Sequence, residues 1–547
     1  MHKNRIWFQL ALIVILAVAV VGSTLAINRS YGVGAFLGPI GGTHRIVMQR
    51  FITRPDEQAL QRAAIQGMLD ALDDPYTFYV PPADTDEFEK EMTGEYVGIG
   101  VAVAMRDGWL TVITPLDGSP AIAAGVRAGD RIVEIEGVST ADKTPDECVE
   151  MLMGEAGVPV RITVERGGTR IAVTIVRERI VTQTVRGFHR ADDGRWRHVI
   201  DADRRIAYIR VSQFNQTTAD EFKGVIEGLG AEEPGRLGAL IIDLRGNPGG
   251  LMSASIAMAD LFLSEGIIVS TRGRALDAET ILAHREGTLG DFPVVVMIDG
   301  QSASASEIFA GALADNDRAV ILGERSFGKA SIQQVYTLSR TNAELKITEG
   351  RYQLPSGRSP HREPGSTEWG VDPSPGFFVP MSGQEWLDAM TTQQDQEVIR
   401  TGTEDAIDWS DTEVALAALG DRQLTAAVGA LRTRIDTGLW VPVGADAPSG
   451  ELLIAEDLER LDRSRQALLR DLAMLERSAR RHESAGIALD EPIDLWPDDT
   501  DLAGGRLEVF DARGNRIAEL VITGDDLERW LQASGVEPTE AEGSDDG

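Results

Sequence analysis

Residues 238–250, GALIIDLRGNPGG, decide the fold class. From Ala239 to Ile242 the run is apolar at every position, so neither face can meet water; such strands belong in the middle of a parallel sheet. Asn247-Pro248-Gly249-Gly250 then breaks the strand and leads into a helix near Leu251. FPVVVMIDG at 292–300 repeats the plan, passing through Gln301 and Ser302 into a helix that carries Ile308, Phe309, Ala312 and Leu313. AVILGE at 319–324 is a further strand, and SIQQVYTL at 331–338 alternates as a strand should. Strand, turn, helix and strand in this order make 181–380 an α/β domain.

On the N-terminal side, 93–180 reads as a small β-rich module. VGIGVAVAM, WLTVITPL, DRIVEIEG, VRITVER and RIAVTIV alternate with turns rich in Gly, Asp or Pro. Its one helix has a marked start: Thr144 as cap, Pro145 at the first position and Glu147 three residues after the cap, with Val149, Leu152 and Met153 following on one face. Residues 40–92 read as helical, with Leu60, Ala63, Ala64, Met68 and Leu72 at helical spacing, until DDPYTFYVPP breaks the pattern. Beyond 381 a mostly helical extension reaches 535. It holds a helical pair over 412–436, a charged helix over 455–485 and a hairpin, GRLEVFDARGNRIAELVI. The tail 536–547 is acidic and expected to be disordered.

A chain of 547 residues exceeds a single hydrophobic core, so several domains are expected. The net charge of -33 excludes nucleic acid as a partner, since phosphate contacts need clustered Lys and Arg. A lone Cys148 rules out an internal disulfide, and seven scattered histidines offer no tight metal-ligand spacing; neither metal nor cofactor is called for. His2, Lys3 and Arg5 precede an apolar run from Ile6 to Ile27. That run reads as a signal anchor over 1–28, or as a cleaved signal peptide. Positive charge ahead of it predicts a membrane-anchored protein with its catalytic part periplasmic or otherwise extracytoplasmic, or secreted if the run is cut.

Chemistry concentrates beyond the C-terminal ends of the parallel strands. Successive glycines at 249 and 250 let backbone N–H groups approach a ligand, as an oxyanion hole requires, although the turn also suits plain tight packing. In Ser302-Ala303-Ser304-Ala305-Ser306, serines open a helix, where they serve as caps or, given a base, as a nucleophile. No histidine is placed to be that base and the hydrolase elbow G-x-S-x-G is missing, so a lysine must be considered; it acts as a base only where burial lowers its pKa from about 10.4 toward 7–8. GERSFGKASIQQ from Gly323 supplies Lys329, which by itself reads as a surface residue. Its match to a phosphate loop fails because Ala330 stands where Ser or Thr must hold magnesium. Ser326-x-x-Lys329 matches the penicillin-recognising motif but lacks the companion motifs.

Together YIRVSQF, LIIDLRGNPGG, SASASEIFAGALADNDRAVILGERSFGKASIQQVYTL and RYQLPSGRSP…GVDP resemble the C-terminal processing peptidases, or tail-specific proteases, over roughly 50–380. The resemblance implies a multidomain α/β and α+β protein: a crotonase/ClpP-like α/β peptidase core, an inserted PDZ domain, an N-terminal helical segment and a helical C-terminal extension. It implies Ser304 as nucleophile, Lys329 as general base and Gln333 as the residue that holds the lysine. Gly250 and Ala305 are implied as oxyanion donors with Gly249 as the neighbouring choice, and Glu307 and Asp315 as accessory acids or mere ion pairs. In the PDZ module, Val97, Gly98, Ile99 and Gly100 would receive a substrate's terminal carboxylate, and Val149, Leu152 and Met153 would form the facing wall. Two departures stand out: Ala330 where the family has Gly, and a longer connection, HREPGSTEW.

The function expected is a serine endopeptidase that recognises protein C-termini and cleaves by Ser–Lys acyl transfer. Its rivals are a non-catalytic PDZ scaffold and a peptidase held inactive until a partner binds. Expected partners are proteins with accessible C-termini and a membrane through the N-terminal run; a homo-oligomer is allowed.

Overall fold

A computed structural model describes residues 34–446, apart from 86–87, 89–93, 107, 142, 192–193, 232, 234, 339–340, 364–365 and 398–406. Beyond these it describes positions 458 and 465 and the backbone of 506–510 and 516–521. The chain divides into Met1–Arg460 and Leu461–Gly547.

Ile206–Val211, Ala239–Asp243, Val294–Ile298 and Val320–Gly323 lie side by side in parallel, as their uniform hydrophobicity requires. Their side chains sort by the two-residue period. Ala207, Ile209, Leu240, Ile242, Val294 and Val296 face one core with Phe222, Met258, Phe309 and Leu313 from the helices Thr218–Gly228, Met252–Asp260 and Ala305–Asp315. Tyr208, Ile241, Val295 and Met297 face the other, against Leu416, Leu424, Val428 and Leu431 of the helices Thr412–Leu419 and Arg422–Thr437. The helical pair expected over 412–436 is therefore the second layer of this sheet.

A second, antiparallel sheet is built on the long strand Ala343–Gln353. One edge carries Ser331–Leu338. The other carries Ile267–Gly273 and, unforeseen in the sequence, Phe78–Val80 from the N-terminal region, with Phe78 opposite Lys346. The break at DDPYTFYVPP thus enters a sheet. Ahead of it stand helices over 34–50 and Glu57–Asp70, the latter capped by Asp56.

In the β-rich module the expected strand VGIGVAVAM is divided: Glu95–Gly98 pairs with Glu178–Val181 in a sheet of two, and a new strand starts at Val101. Val101–Arg106, Trp109–Pro115, Arg131–Ile135, Pro159–Arg166 and Thr169–Val176 form one sheet in that order. The helix Pro145–Leu152 starts in a capping box of Thr144 and Glu147. In the unit from Leu461 on, Arg506–Phe510 and Arg516–Val521 pair as the expected hairpin. The expected helix over 455–485, except for Leu458 and Arg465, and the tail 536–547 lie outside the described residues.

The expectation of a membrane-anchored protein is corrected: no helix among the described residues is long and apolar enough to cross a membrane. The run from Ile6 to Ile27, on which that expectation stood, lies outside the described residues.

Candidate active site

The serine trio is divided by its hydrogen bonds. Ser302 Oγ donates to the Leu244 carbonyl at 2.8 Å and Ser306 Oγ to the Asn247 carbonyl at 3.0 Å, so both pin the helix start to the glycine turn. Ser304 has no such tie among the described residues. It is half-buried and sits at φ 56°, ψ −112°, a conformation rarely held by a residue with a side chain and one that clusters at functional sites.

The glycine turn lies directly against it. A Cβ on Gly249, at φ 99°, would stand 2.8 Å from Ser304 Cβ and 2.6 Å from the Ala303 carbonyl. Asn247 shapes the turn from within: its amide donates to the Val211 carbonyl and its Oδ1 accepts the Gly249 N–H, each at 2.8 Å. That leaves the N–H groups of Gly250 and Ala305 without partners among the described residues, and removes Gly249 from the choice of free donors.

Glu307 ties the Ser304 and Lys329 loops together. It is fully buried, and its carboxylate accepts four hydrogen bonds: Ser304 N–H and Lys329 N–H on Oε2, Gly328 N–H and Ser326 Oγ on Oε1, at 2.6–2.8 Å. Burial pushes its carboxyl above the usual range, against the pull of those bonds. Among the described residues Glu307 makes hydrogen bonds and no salt bridge. The buried Tyr352 hydroxyl adds a second tie, 3.1 Å from the Ser304 carbonyl and 2.8 Å from that of Lys329. Sequence reasoning missed Tyr352, because a tyrosine in a strand reads as packing.

Lys329 is half-buried, and burial pulls its amine below the ordinary lysine range, helped by Lys346 and opposed by Glu307 and Asp74. The amine lies 4.4 Å from the centre of the Tyr76 ring and makes no hydrogen bond to Ser304. Gln333 donates to Thr348 Oγ1 at 3.2 Å and not to the lysine. Asp315 stands at the far end of the helix Ala305–Asp315, about 16.5 Å from Ser304 at 1.5 Å per residue. There it accepts the Ser356 N–H.

The departures from the family pattern have local reasons. The Ala330 methyl is buried in the core, where a glycine would leave space. The longer connection brings His361 Nδ1 to the Ala330 N–H at 3.4 Å and lays Trp369 against Gly328.

In the PDZ module, Gly98, Ile99 and Gly100 are buried and Val97 is half-buried. The N–H groups of Ile99 and Gly100 have no partner among the described residues. Val149 and Met153 are half-exposed, whereas Leu152 packs into the module's own core with Cys148.

Comparison with known proteins identifies the family and its domains. Residues 205–374 match the model of peptidase family S41, 111–166 that of a PDZ domain, and 35–84 that of the activating protease CtpB N-terminal domain. The chain is 34% identical over 363 residues to a carboxy-terminal-processing protease of Bartonella bacilliformis, covering 66% of this chain and 80% of that protein. It is 31% identical over 329 residues to a probable CtpA-like serine protease of Staphylococcus aureus, covering 60% of this chain and 63% of the relative. A solved photosystem II D1 C-terminal processing protease is 25% identical and covers 71% of this chain and 93% of its own, at a TM-score of 0.36, too low to add to the sequence match. By descent as well as by architecture, then, the chain belongs to the carboxy-terminal-processing proteases of family S41 and is a serine-type peptidase with a PDZ domain.

Proposed function

We propose that this peptidase cuts proteins by acyl transfer to Ser304, with Lys329 as general base, after its PDZ module has gripped the substrate's C-terminus. The observation that carries the reading is the convergence of the Ser304 and Lys329 backbone N–H groups on one oxygen of Glu307. Two bonds of 2.8 Å to the same atom keep those nitrogens no further apart than twice that length.

The steps follow from the groups present. The neutral Lys329 amine takes the Ser304 proton as Oγ attacks the peptide carbonyl. The free N–H groups of Gly250 and Ala305 stabilise the oxyanion. The ammonium returns its proton to the leaving amine, and water activated by the same amine releases the acyl group. Gln333 steadies the lysine during turnover. The unpartnered N–H groups of Ile99 and Gly100 receive the terminal carboxylate, with Val97 and Gly98 shaping the loop and Val149 and Met153 the wall.

A second reading is favoured by the Lys329 amine lying on Tyr76 without a bond to Ser304: this arrangement is a resting one, and substrate engagement draws the lysine across. One experiment addresses both. Wild-type, Ser304→Ala and Lys329→Ala proteins are assayed on an unfolded protein with a free or an amidated C-terminus. Cleavage confined to wild type and favouring the free end is expected. Undiminished cleavage by Ser304→Ala ends the assignment. If a free C-terminal peptide added in trans raises wild-type cleavage of a blocked substrate, the resting-state reading gains; no stimulation removes it.

A further inference from the structure

The segment Asp74–Thr77 lies far from the peptidase core in sequence, yet it is threaded into the base's surroundings by specific bonds. The Asp74 carboxylate accepts the Tyr76 N–H at 3.2 Å and the Thr77 hydroxyl at 2.6 Å. It is also hydrogen-bonded by the side chain of Thr348. Thr77 Oγ in turn accepts the Thr348 N–H at 3.0 Å. Thr348 Oγ1 receives the Gln333 amide at 3.2 Å, so its proton is free to go to Asp74. Immediately after, Phe78–Val80 pairs with Glu344–Lys346 of the long strand and fixes the segment in register. The outcome is that Tyr76 presents its ring to the Lys329 amine at 4.4 Å.

We propose that Asp74–Thr77 is a positioning element of the active site, in which the Tyr76 ring seats the Lys329 amine and Asp74, through Thr348, seats Gln333. This rests on the reading of Lys329 as general base. The N-terminal region is then a working part of the catalytic unit, supplying the wall against which the base stays dry and within a side-chain rotation of Ser304.

The ring acts on the amine in two opposed ways. Its negative face favours the charged ammonium. Its bulk keeps water away and favours the neutral amine. The charged groups acting on Lys329 are Lys346 on the long strand, Glu307 on the nucleophile helix and Asp74 on the segment itself. Burial stands ahead of all of them as the cause of the lowered pKa, so losing the wall moves the amine back up. Each unit of upward shift costs a tenfold loss of neutral base at neutral pH.

The test uses full-length Tyr76→Phe, Tyr76→Ala and Thr348→Val proteins beside wild type, all checked for an unchanged thermal transition. Two readouts are taken: the pH profile of kcat, and direct NMR titration of the Lys329 amine in 13C-lysine-labelled protein, assigned through Lys329→Arg. Tyr76→Phe should keep both. Tyr76→Ala should raise the amine's pKa by about one unit and lower kcat at pH 7 about tenfold, with KM within about twofold. Thr348→Val should lower kcat while moving the amine's titration less than Tyr76→Ala does, because it removes the hydroxyl that links Gln333 to Asp74 and leaves the Tyr76 ring in place. An unmoved amine in folded Tyr76→Ala overturns the proposal. If that variant does not fold, Tyr76→Leu replaces it, and failure of its amine to move relative to Tyr76→Phe counts equally against the proposal. The titration does not depend on activity, so an active Ser304→Ala protein would sink the peptidase reading while the seat of Lys329 is still judged on its own.

Discussion

Ser304 and Lys329, 25 residues apart, donate their backbone N–H groups to a single oxygen of the buried Glu307. The spacing between the proposed nucleophile and the proposed base thus depends on a carboxylate that binds both through their backbones. It holds the two loops by their backbones and not through the lysine amine.

Glu307→Gln should therefore be far from conservative. Ser304 N–H, Lys329 N–H, Gly328 N–H and Ser326 Oγ all donate to this side chain, and an amide NH2 would have to face one pair of them. Each buried donor left unpaired costs about 1–3 kcal/mol. The variant is expected to melt at lower temperature and to lose kcat by more than tenfold. A Glu307→Gln protein with wild-type melting and turnover would show the clamp to be dispensable.

Activity should rise with pH. With Lys329 as the proposed base, the working form is the neutral amine, and burial holds its pKa below the ordinary lysine value. Below that lowered pKa the base is protonated and turnover falls tenfold per unit; above it the rate levels off. The midpoint is expected below the free-lysine value of about 10.4. Lys329→Arg, cationic throughout, should be inactive at every pH. A rate–pH profile that is flat across the neutral range would argue for another base.

The turn before the nucleophile helix tolerates no side chain at 249. An alanine there would carry φ 99° and place its methyl 2.6 Å from the Ala303 carbonyl and 2.8 Å from Ser304 Cβ. Strain of this kind costs about 1–3 kcal/mol, and relief can come only by moving the nucleophile or the oxyanion turn. Gly249→Ala is expected to keep its fold and lose kcat by about a hundredfold, read at saturating substrate.

Much of this was legible in the sequence because it is local. GALIIDLRGNPGG and FPVVVMIDG carry strand and turn within themselves, and the Thr144 capping box announces its helix. Ser304 was separable from Ser302 and Ser306 by resemblance, whereas the physical distinction lies in partners 58 and 59 residues away, Leu244 and Asn247. Tyr76 gave no signal at all. DDPYTFYVPP reads as a helix breaker, and only its pairing with Glu344–Lys346, set by the fold, brings the ring to Lys329. Leu152 misled for a related reason: one amphipathic face of a short helix serves both core and groove, and spacing does not say where one gives way to the other.

The C-terminal helices bear on catalysis through a buried charge. Arg245, two residues before Asn247, is wholly shielded from solvent and bonded to Asp243 at 2.7 Å and to Asp421 at 2.6 Å, with Gln423 at 3.0 Å. Asp421 is also the cap of the helix Arg422–Thr437, whose Leu424, Val428 and Leu431 cover one face of the parallel sheet. Ending the chain at residue 381 would expose that face and strip Arg245 of two partners, Asp421 and Gln423, the broken buried pair with Asp421 alone being worth about 3–5 kcal/mol. Ending it at 446 keeps both. The shorter protein is expected to be insoluble or unfolded, and the longer one to fold and cleave. Asp421→Asn isolates the charge: it should lower the melting temperature and, because Arg245 leads into the oxyanion turn, lower kcat more than it raises KM. Equal stability of the proteins ending at 381 and 446 would show that the helical pair is an appendage and not the second layer of the catalytic sheet.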